Sequence, residues 1–562
     1  MLRPVPRLLP HCLVLACVLG GCKDPPAQPE RVPPPKIASD EDEALEAEAY
    51  REALERALPE ARAALIAADP LAAWRVGLAP EGWAAPPLSP ARRRELERVV
   101  EPARAALAEI DESYLPGAEV VILRLMRFAF ARLNDDLHRR PRIRQDPMLG
   151  LHEVGDHLDE LRYRLVHGEC ERSCEALPGA LADEVQSLRR QLRAASIPAV
   201  EHAAGRARSL ADEARSLAAK PAASEREQLR SGLEQLARAC EEHGAWLTEL
   251  AARLPDAPQH QWSAKPAAKP ASEAEIRRLP AILGAGALIR RLSVEERVDL
   301  VPGPAFAEIE RHVGRWQSLR AALVGEGDPL ADDAPAPVDL ARCEAALERL
   351  RAGLEAVPEV DAPELDCARY LAVLGDEARS EAQLVLELLD LAVIEPQRRA
   401  LRAKELPEVA LVSGSWSRQV HTHLRRVMLL ARLSEPAASA LALREGRRAL
   451  CWAEAALWIH AQLGPPEDVA LTVGGPCVDL GEAEAITARV TGDPRGALAG
   501  VGLSLIGDEP ARMVGFDRFF WAPLGMMKML STPKGMHPDT YSLPDDPAPA
   551  PEPEVDLKLE PL

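Results

Sequence analysis

The apolar positions of this chain recur mostly at steps of three and four, the period of a helix that buries one face. The clearest run is Leu229, Leu233, Leu236, Cys240, His243, Leu247, Leu250 and Leu254. Its alternating steps make a heptad seam and place Cys240 and His243 inside a helix–helix contact. Ala118 to Arg139 is apolar nearly all round through Val121, Ile122, Leu125, Met126, Phe128, Phe130 and Leu133, which suits a central bundle helix. Leu340 to Val357 and Leu365 to Ile394 read as long amphipathic helices, and the almost wholly apolar stretch Ala382 to Ile394 belongs in a core. The pattern predicts a mainly α fold of helical bundles.

Proline, glycine and loss of periodicity divide those bundles into two regions. Residues 44–254 form a first helical domain, broken at the proline-rich joint Leu78 to Pro90. Residues 255–272, PDAPQHQWSAKPAAKPAS, read as a linker, and residues 273–464 as a second helical domain interrupted by the acidic loop Gly325 to Asp339. Residues 465–542 are an irregular portion rich in glycine, methionine and aromatics. Within it Val469 to Val473, the Gly474-Gly475 turn and Cys477 to Leu480 suit a small hairpin. Residues 543–562 are acidic and proline-dense, the composition of a disordered tail. No repeat at a fixed period is evident, which argues against a solenoid.

Composition agrees with the helical reading. Aromatic residues are 4% of the 562, while Ala, Leu, Arg and Glu, the strong helix formers, fill most of the chain. With 68 basic and 88 acidic side chains the formal charge is -20, which disfavours a nucleic-acid binder, since phosphate neutralisation needs a basic face.

The N-terminus changes the picture most. Arg3 and Arg7 precede an apolar run from Leu8 to Leu19, too short for a stable span and suited to a secretory signal. It ends in Leu19-Gly20-Gly21-Cys22, which resembles the lipobox of bacterial lipoproteins. The resemblance implies cleavage of a 1–21 signal peptide and acylation of Cys22, so that lipid is the membrane attachment. Several acyl chains are needed for lasting anchorage, because each buried methylene contributes only about 0.8 kcal/mol. Residues 22–43 would then be the lipidated cysteine and a proline-rich tether holding the body off the bilayer. The expected location is the cell envelope. Lys23 after the cysteine favours the outer membrane over the inner by the enterobacterial sorting pattern, with a periplasmic or surface face left open.

Loss of Cys12 and Cys17 with the signal, and of Cys22 to lipid, leaves Cys170, Cys174, Cys240, Cys343, Cys367, Cys451 and Cys477. An exported chain permits disulfides, and the separations Cys343 to Cys367 and Cys451 to Cys477 suit staples across adjacent elements.

For chemistry, Glu153, His157 and Glu160 lie at i, i+4 and i+7, so a helix sets an imidazole and two carboxylates on one face. Gly155, His157 and Glu160 also match the GxHxxE pattern and resemble imelysin-like proteins, helical envelope proteins associated with iron uptake. That resemblance implies His157 and Glu160 as the functional positions. A hard site of this kind suits iron or another divalent metal, with His152 or His138 as a further ligand. The competing reading is a solvated face in which Arg162 and Arg164 pair with the carboxylates. His167, Cys170 and Cys174 align three soft ligands for zinc on an unbroken helix, although a local disulfide suits an exported chain better. His421 and His423 diverge if their segment is helical. Met526, Met527, Met529 and Met536, near Phe519, Phe520 and Trp521, suit core packing before copper. No GxSxG, P-loop, GxGxxG, HExxH or EF-hand pattern occurs. The sequence therefore favours a non-catalytic, lipid-anchored envelope scaffold that binds another envelope or secreted protein and needs no cofactor. An imelysin-like metal or haem-related binding protein is the alternative.

Overall fold

The computed structural model describes residues 40–75, 90–134, 137, 144–170, 172–254, 276–279, 281–296, 300–325, 327–331, 333–355, 365–397, 399, 415–433, 435–464, 468–473 and 480–506. The signal segment, Cys22 and its tether, the 255–272 linker, the Met526 to Met536 cluster and the 543–562 tail lie outside the described residues. The chain divides into residues 1–46, of which only the helical start from Asp40 is described, and a body from Ala47 onward.

The described residues are mainly α. In the body, α1 (Asp40–Ala68), α3 (Pro90–Ala108) and α4 (Gly117–Asn134) bury Leu54, Leu96, Leu107, Met126 and Phe130 in one cluster; α2 (Pro70–Arg75) lies between α1 and α3 in sequence. The larger core is built around α5 (Leu149–His167), α6 (Arg172–Gln191), α7 (Ile197–Ala219) and α9 (Glu227–Arg253), with the single turn α8 (Pro221–Ser224) between the last two. On α9 the seam residues Leu229, Leu233, Leu236, Cys240, His243, Leu247 and Leu250 are all buried. The facing side of α7 is alanine, Ala203, Ala204, Ala207, Ala211 and Ala214, which lets the two helices approach closely. At Gly244 a Cβ would sit 3.3 Å from the Ala204 carbonyl oxygen, so a methyl group there would need the two helices to give by a few tenths of an ångström.

The same core continues into the later helices: Leu229 and Leu250 share one buried cluster with Leu388, Val420 and Leu457. Those helices are α10 (Ala285–Glu296), α11 (Pro302–Val324), α12 (Leu340–Leu354), α13 (Cys367–Leu374), α14 (Glu381–Leu389), α15 (Ser415–Leu433) and α16 (Pro436–His460). Helix α16 packs on α11, α14 and α15 and buries Ala438, Leu441, Leu450 and Leu457. Helix α14 starts in a capping box, Ser380 with Gln383, and its free amides at Glu381 and Ala382 donate to Asp333 at 2.6 and 3.1 Å. It runs into a π turn at Asp390–Ile394. Strand is confined, among the described residues, to β1 (Ala194–Ala195) parallel to β2 (Arg277–Arg278) and β3 (Ala336–Pro337) antiparallel to β4 (Ala378–Arg379). No described helix is long and apolar enough to cross a membrane.

The hairpin expected at Val469 to Leu480 does not form. Val469–Val473 is α17, Leu480–Gly492 is α18 and Ala497–Ile506 is α19, so the described part of the expected irregular portion is helical. Val469 and Val473, four apart, are both buried, and helical spacing in a core outweighs the sheet preference of valine. The glycines of α19 serve packing: a Cβ at Gly500 would run into the Ala449 carbonyl of α16.

Candidate functional site

Helix α5 carries the residues singled out by the sequence. It ends at Gly168, whose φ of +71° admits the left-handed turn that returns its N–H to Arg164 and Leu165. His157 and Glu160 are buried, at 3% and 0% exposure, whereas Glu153 is exposed. The solvated-face reading therefore fails for the two central residues.

His157 Nδ1–H donates to the Glu153 carbonyl oxygen at 2.5 Å, and its ring lies 6.4 Å from that of Trp74. Its buried Nε2 has no hydrogen-bond partner among the described residues. Glu160 Oε1 accepts from Arg164 Nε at 2.9 Å and also from Arg399, while Oε2 is buried without a partner among the described residues. Each arginine sits over an aromatic ring: Arg164 Cζ lies 4.2 Å from the Trp74 centroid and Arg399 Cζ 3.5 Å from that of Tyr163. Arg164 also donates to the Trp74 carbonyl at 2.9 Å, and Arg399 bridges to Glu169 at 2.9 Å. Behind Tyr163, the His167 ring stacks at 4.2 Å and its Nε2–H donates to Leu391 in the π turn at 3.0 Å. Burial pushes the Tyr163 hydroxyl pKa up, and burial pulls that of His167 down, so both groups are neutral near neutrality.

Glu153 does not join His157 and Glu160 through its carboxylate. Among the described residues no three His, Cys, Asp or Glu side chains converge as a metal set. The soft triad is altered as well, because Cys170 and Cys174 are bonded to each other. Cys343 and Cys367 form a second disulfide, joining α12 to α13, with Cα atoms 5.9 Å apart. Cys451 is also disulfide-bonded, and Cys477 lies outside the described residues. His421 and His423 ride on α15, and His138 is outside the described residues.

His152 belongs to a different cluster. Its Nε2–H donates to Asp493 at 2.6 Å, and its ring meets Trp416 edge-on at 5.9 Å. Asp493 also accepts from Arg495 Nε at 3.1 Å, and Arg495 reaches Asp146 at 3.5 Å, where Arg291 completes the pair. Arg495, Asp493 and Asp146 are 1%, 5% and 6% exposed. Burial pushes both carboxyls up, yet Arg291 and Arg495 outweigh it for Asp146, and Arg495 with His152 for Asp493, leaving both below the usual carboxylate range. Apart from His152, named above as a candidate ligand, the members of this network carry no sequence signal, because they are separated by up to 349 residues. Both clusters are charge lattices that tie helices together, and among the described residues His157 Nε2, Glu160 Oε2 and Arg399 Nε are left buried without a hydrogen-bond partner.

No family model matches the chain, and no curated protein matches it. Among solved structures it is similar to a candidate lipoprotein of unknown function from Shewanella oneidensis, with 13% identity and a TM-score of 0.48 over 86% of this chain and 99% of that one. It is also similar to a candidate lipoprotein from Colwellia psychrerythraea, with 11% identity and a TM-score of 0.43 over 86% of this chain and 98% of that one.

Proposed function

We propose that the chain is an exported lipoprotein, anchored in the cell envelope through Cys22, whose helical body is a non-catalytic module that binds another envelope or secreted protein. The observation that carries this reading is the coexistence of a lipobox cysteine with intrachain disulfides at Cys170–Cys174 and Cys343–Cys367, the chemistry of an oxidising compartment. The buried charges support a structural role for the interior: Glu160, Asp146 and Asp493 are each engaged by arginine, which positions helices and leaves these carboxylates poor as nucleophiles or bases. The test is a Cys22→Ala variant followed by fatty-acid labelling, fractionation and pull-down from solubilised envelopes with the lipidated chain as bait. Labelling lost, protein released and a reproducible partner recovered with the parent chain are the expected results. Unchanged labelling removes the anchor, and absence of any partner beside a reproducible hydrolytic activity reverses the assignment.

A second reading, a metal or haem-related binding protein of imelysin-like type, is favoured by one observation: the bare Nε2 of His157 and the Oε2 of Glu160 are both buried and unsatisfied. The Nδ1–H contact to Glu153 fixes the tautomer whose Nε2 lone pair is available to a cation. Against it stand Arg164 and Arg399, which already neutralise Glu160 and would repel a metal. Elemental analysis of the mature protein with a His157→Ala control separates the two readings. Stoichiometric iron or manganese lost in the variant establishes the metal site; no retained metal, and a melting temperature unmoved by iron, disposes of it.

A further inference from the structure

Helices α11 and α16 enclose a cavity of about 210 Å³ lined by Trp316, Arg320, Asp328, Leu443, Arg444 and Arg447, among others. Three guanidinium groups around one small cavity is an expensive arrangement, and more so in a chain of net charge -20, where acids are plentiful. On α16 and the adjoining α15, arginines elsewhere pair with acids. Arg448, next in sequence, pairs with Glu482, and Arg426 of α15 is held between Asp390 and Glu445. The cavity arginines are matched more loosely. Asp328 lies 3.8 Å from Arg320, which also donates to the Gly327 carbonyl at 3.3 Å. The Nε of Arg447 is buried with no acceptor among the described residues. Burial first, then the positive charges of Arg320 and Arg444, pull the Arg447 pKa down against the opposing pull of Glu482. A guanidinium starts so high that it stays charged.

We propose that this cavity is a binding site for a small phosphomonoester, with the phosphate held by Arg320, Arg444 and Arg447 and the organic part packed on Trp316 and Leu443. Three guanidinium groups face the lining carboxylate of Asp328, and Glu482, which also acts on Arg447, is paired with Arg448, so the cavity keeps a net positive charge suited to a phosphomonoester dianion. The planar fork of arginine suits phosphate oxygens. Gly446 of α16 has no side chain where a Cβ would meet the Trp316 ring, so the indole lies directly against the helix between Arg444 and Arg447. The volume is below the roughly 300 Å³ at which pockets begin to take drug-sized ligands, which restricts the guest to a phosphate and a few carbons. This inference does not rest on the proposed envelope role, and it holds or fails independently of it.

The phosphate can belong to a soluble ester or to a lipid headgroup, and the test distinguishes them. The full-length chain carrying Cys22→Ala, which has no acyl groups of its own to enter a bilayer, is titrated calorimetrically with inorganic phosphate and with glycerol 3-phosphate, and is floated with vesicles containing or lacking phosphatidic acid. Parallel titrations use Arg447→Gln, Arg444→Gln and, as a distant control, the exposed Arg432→Gln. Saturable binding that weakens about tenfold or more in each of the two cavity variants, and is unchanged in the control, is the expected result. Binding of glycerol 3-phosphate with that dependence assigns a soluble ester, and flotation with phosphatidic acid alone assigns a headgroup. Arg444 is exposed, so its variant remains informative if the Arg447 variant does not fold. No binding of any probe, or binding indifferent to both cavity substitutions, overturns the proposal.

Discussion

His152 and Asp493, 341 residues apart, meet at 2.6 Å between Nε2 and Oδ2 and so join α5 to the turn between α18 and α19. Asp493 simultaneously holds Arg495, which is 1% exposed, so this carboxylate is the hinge of the buried lattice. Its replacement by Asn keeps the shape and removes the charge that compensates Arg495. Breaking one side of a buried pair typically costs about 3–5 kcal/mol, and a urea midpoint for Asp493→Asn at pH 7 should fall accordingly.

The same pair fixes an acid limit. The carboxyls of Asp146 and Asp493 titrate below the 3.8 of a free aspartate, so the unfolded chain takes up protons first as pH drops. Their stabilisation is complete above the unfolded value and is lost as pH falls through the folded one. Denaturation midpoints measured from neutral pH down to about 2.5 should drop steeply below about pH 4 in the parent chain. The Asp146→Asn/Asp493→Asn double variant should start lower and drop less.

Glu454 works in the opposite direction. It is 3% exposed on α16, and burial, aided by the charge of Glu310, pushes its pKa up to about 7 from 4.5. Here the folded chain holds its proton while the unfolded chain has released it, so stability declines as pH rises from the unfolded value and levels off above the folded one. A shift of this size corresponds to about 3 kcal/mol at most. Glu454→Gln should flatten the stability curve between those two values and gain stability at pH 8. An unchanged slope in that interval would show that another group controls it.

The helical seam of α9 was legible because a period of seven survives in any local window, and Leu229 through Leu250 need only one partner face to be buried. The burial of His157 and Glu160 was not, because amphipathic spacing cannot tell which side faces the core when the closing partner, Arg399, lies 239 residues away. The sequence placed Arg164 beside Glu160 at helical spacing, and that pair exists; it did not place Trp74 beneath the guanidinium. The hairpin at Val469 was misread for the converse reason. Local β-branched residues and a glycine pair favour a strand, and only the pocket formed by α16 and α18 makes the helix better.

Two glycines in helices test the packing account. Gly500 of α19 faces the Ala449 carbonyl, a backbone atom that cannot rotate away, whereas Gly205 of α7 has nothing within 4 Å of where a Cβ would be. Gly500→Ala should force the two helices apart and cost about 1–3 kcal/mol. Gly205→Ala should stabilise by up to about 1 kcal/mol, since alanine restricts the unfolded chain and favours the helix. Thermal melts of the two variants should therefore move in opposite directions. A fall in both would mean that α7 has a closer neighbour than this structure contains.

Cys343 and Cys367 close a loop with a sequence separation of 24, and a cross-link of that length restricts the unfolded chain by about 3 kcal/mol. The Cys343→Ser/Cys367→Ser variant should lose roughly that much stability, and a reducing agent should lower the parent's midpoint while leaving the variant less affected. Cys240 differs, being a free thiol with 0% exposure whose pKa burial pushes up to about 12. A thiolate is the form that reacts with iodoacetamide, and burial suppresses both its formation and its access. Peptide mapping should find Cys240 unlabelled in the native, unreduced protein at pH 8 and fully labelled once denaturant opens the α7–α9 contact. Appearance of the label in native protein, at a rate below that of a free thiol, would instead measure how often that contact opens, and would place α9 among the less stable helices of the body.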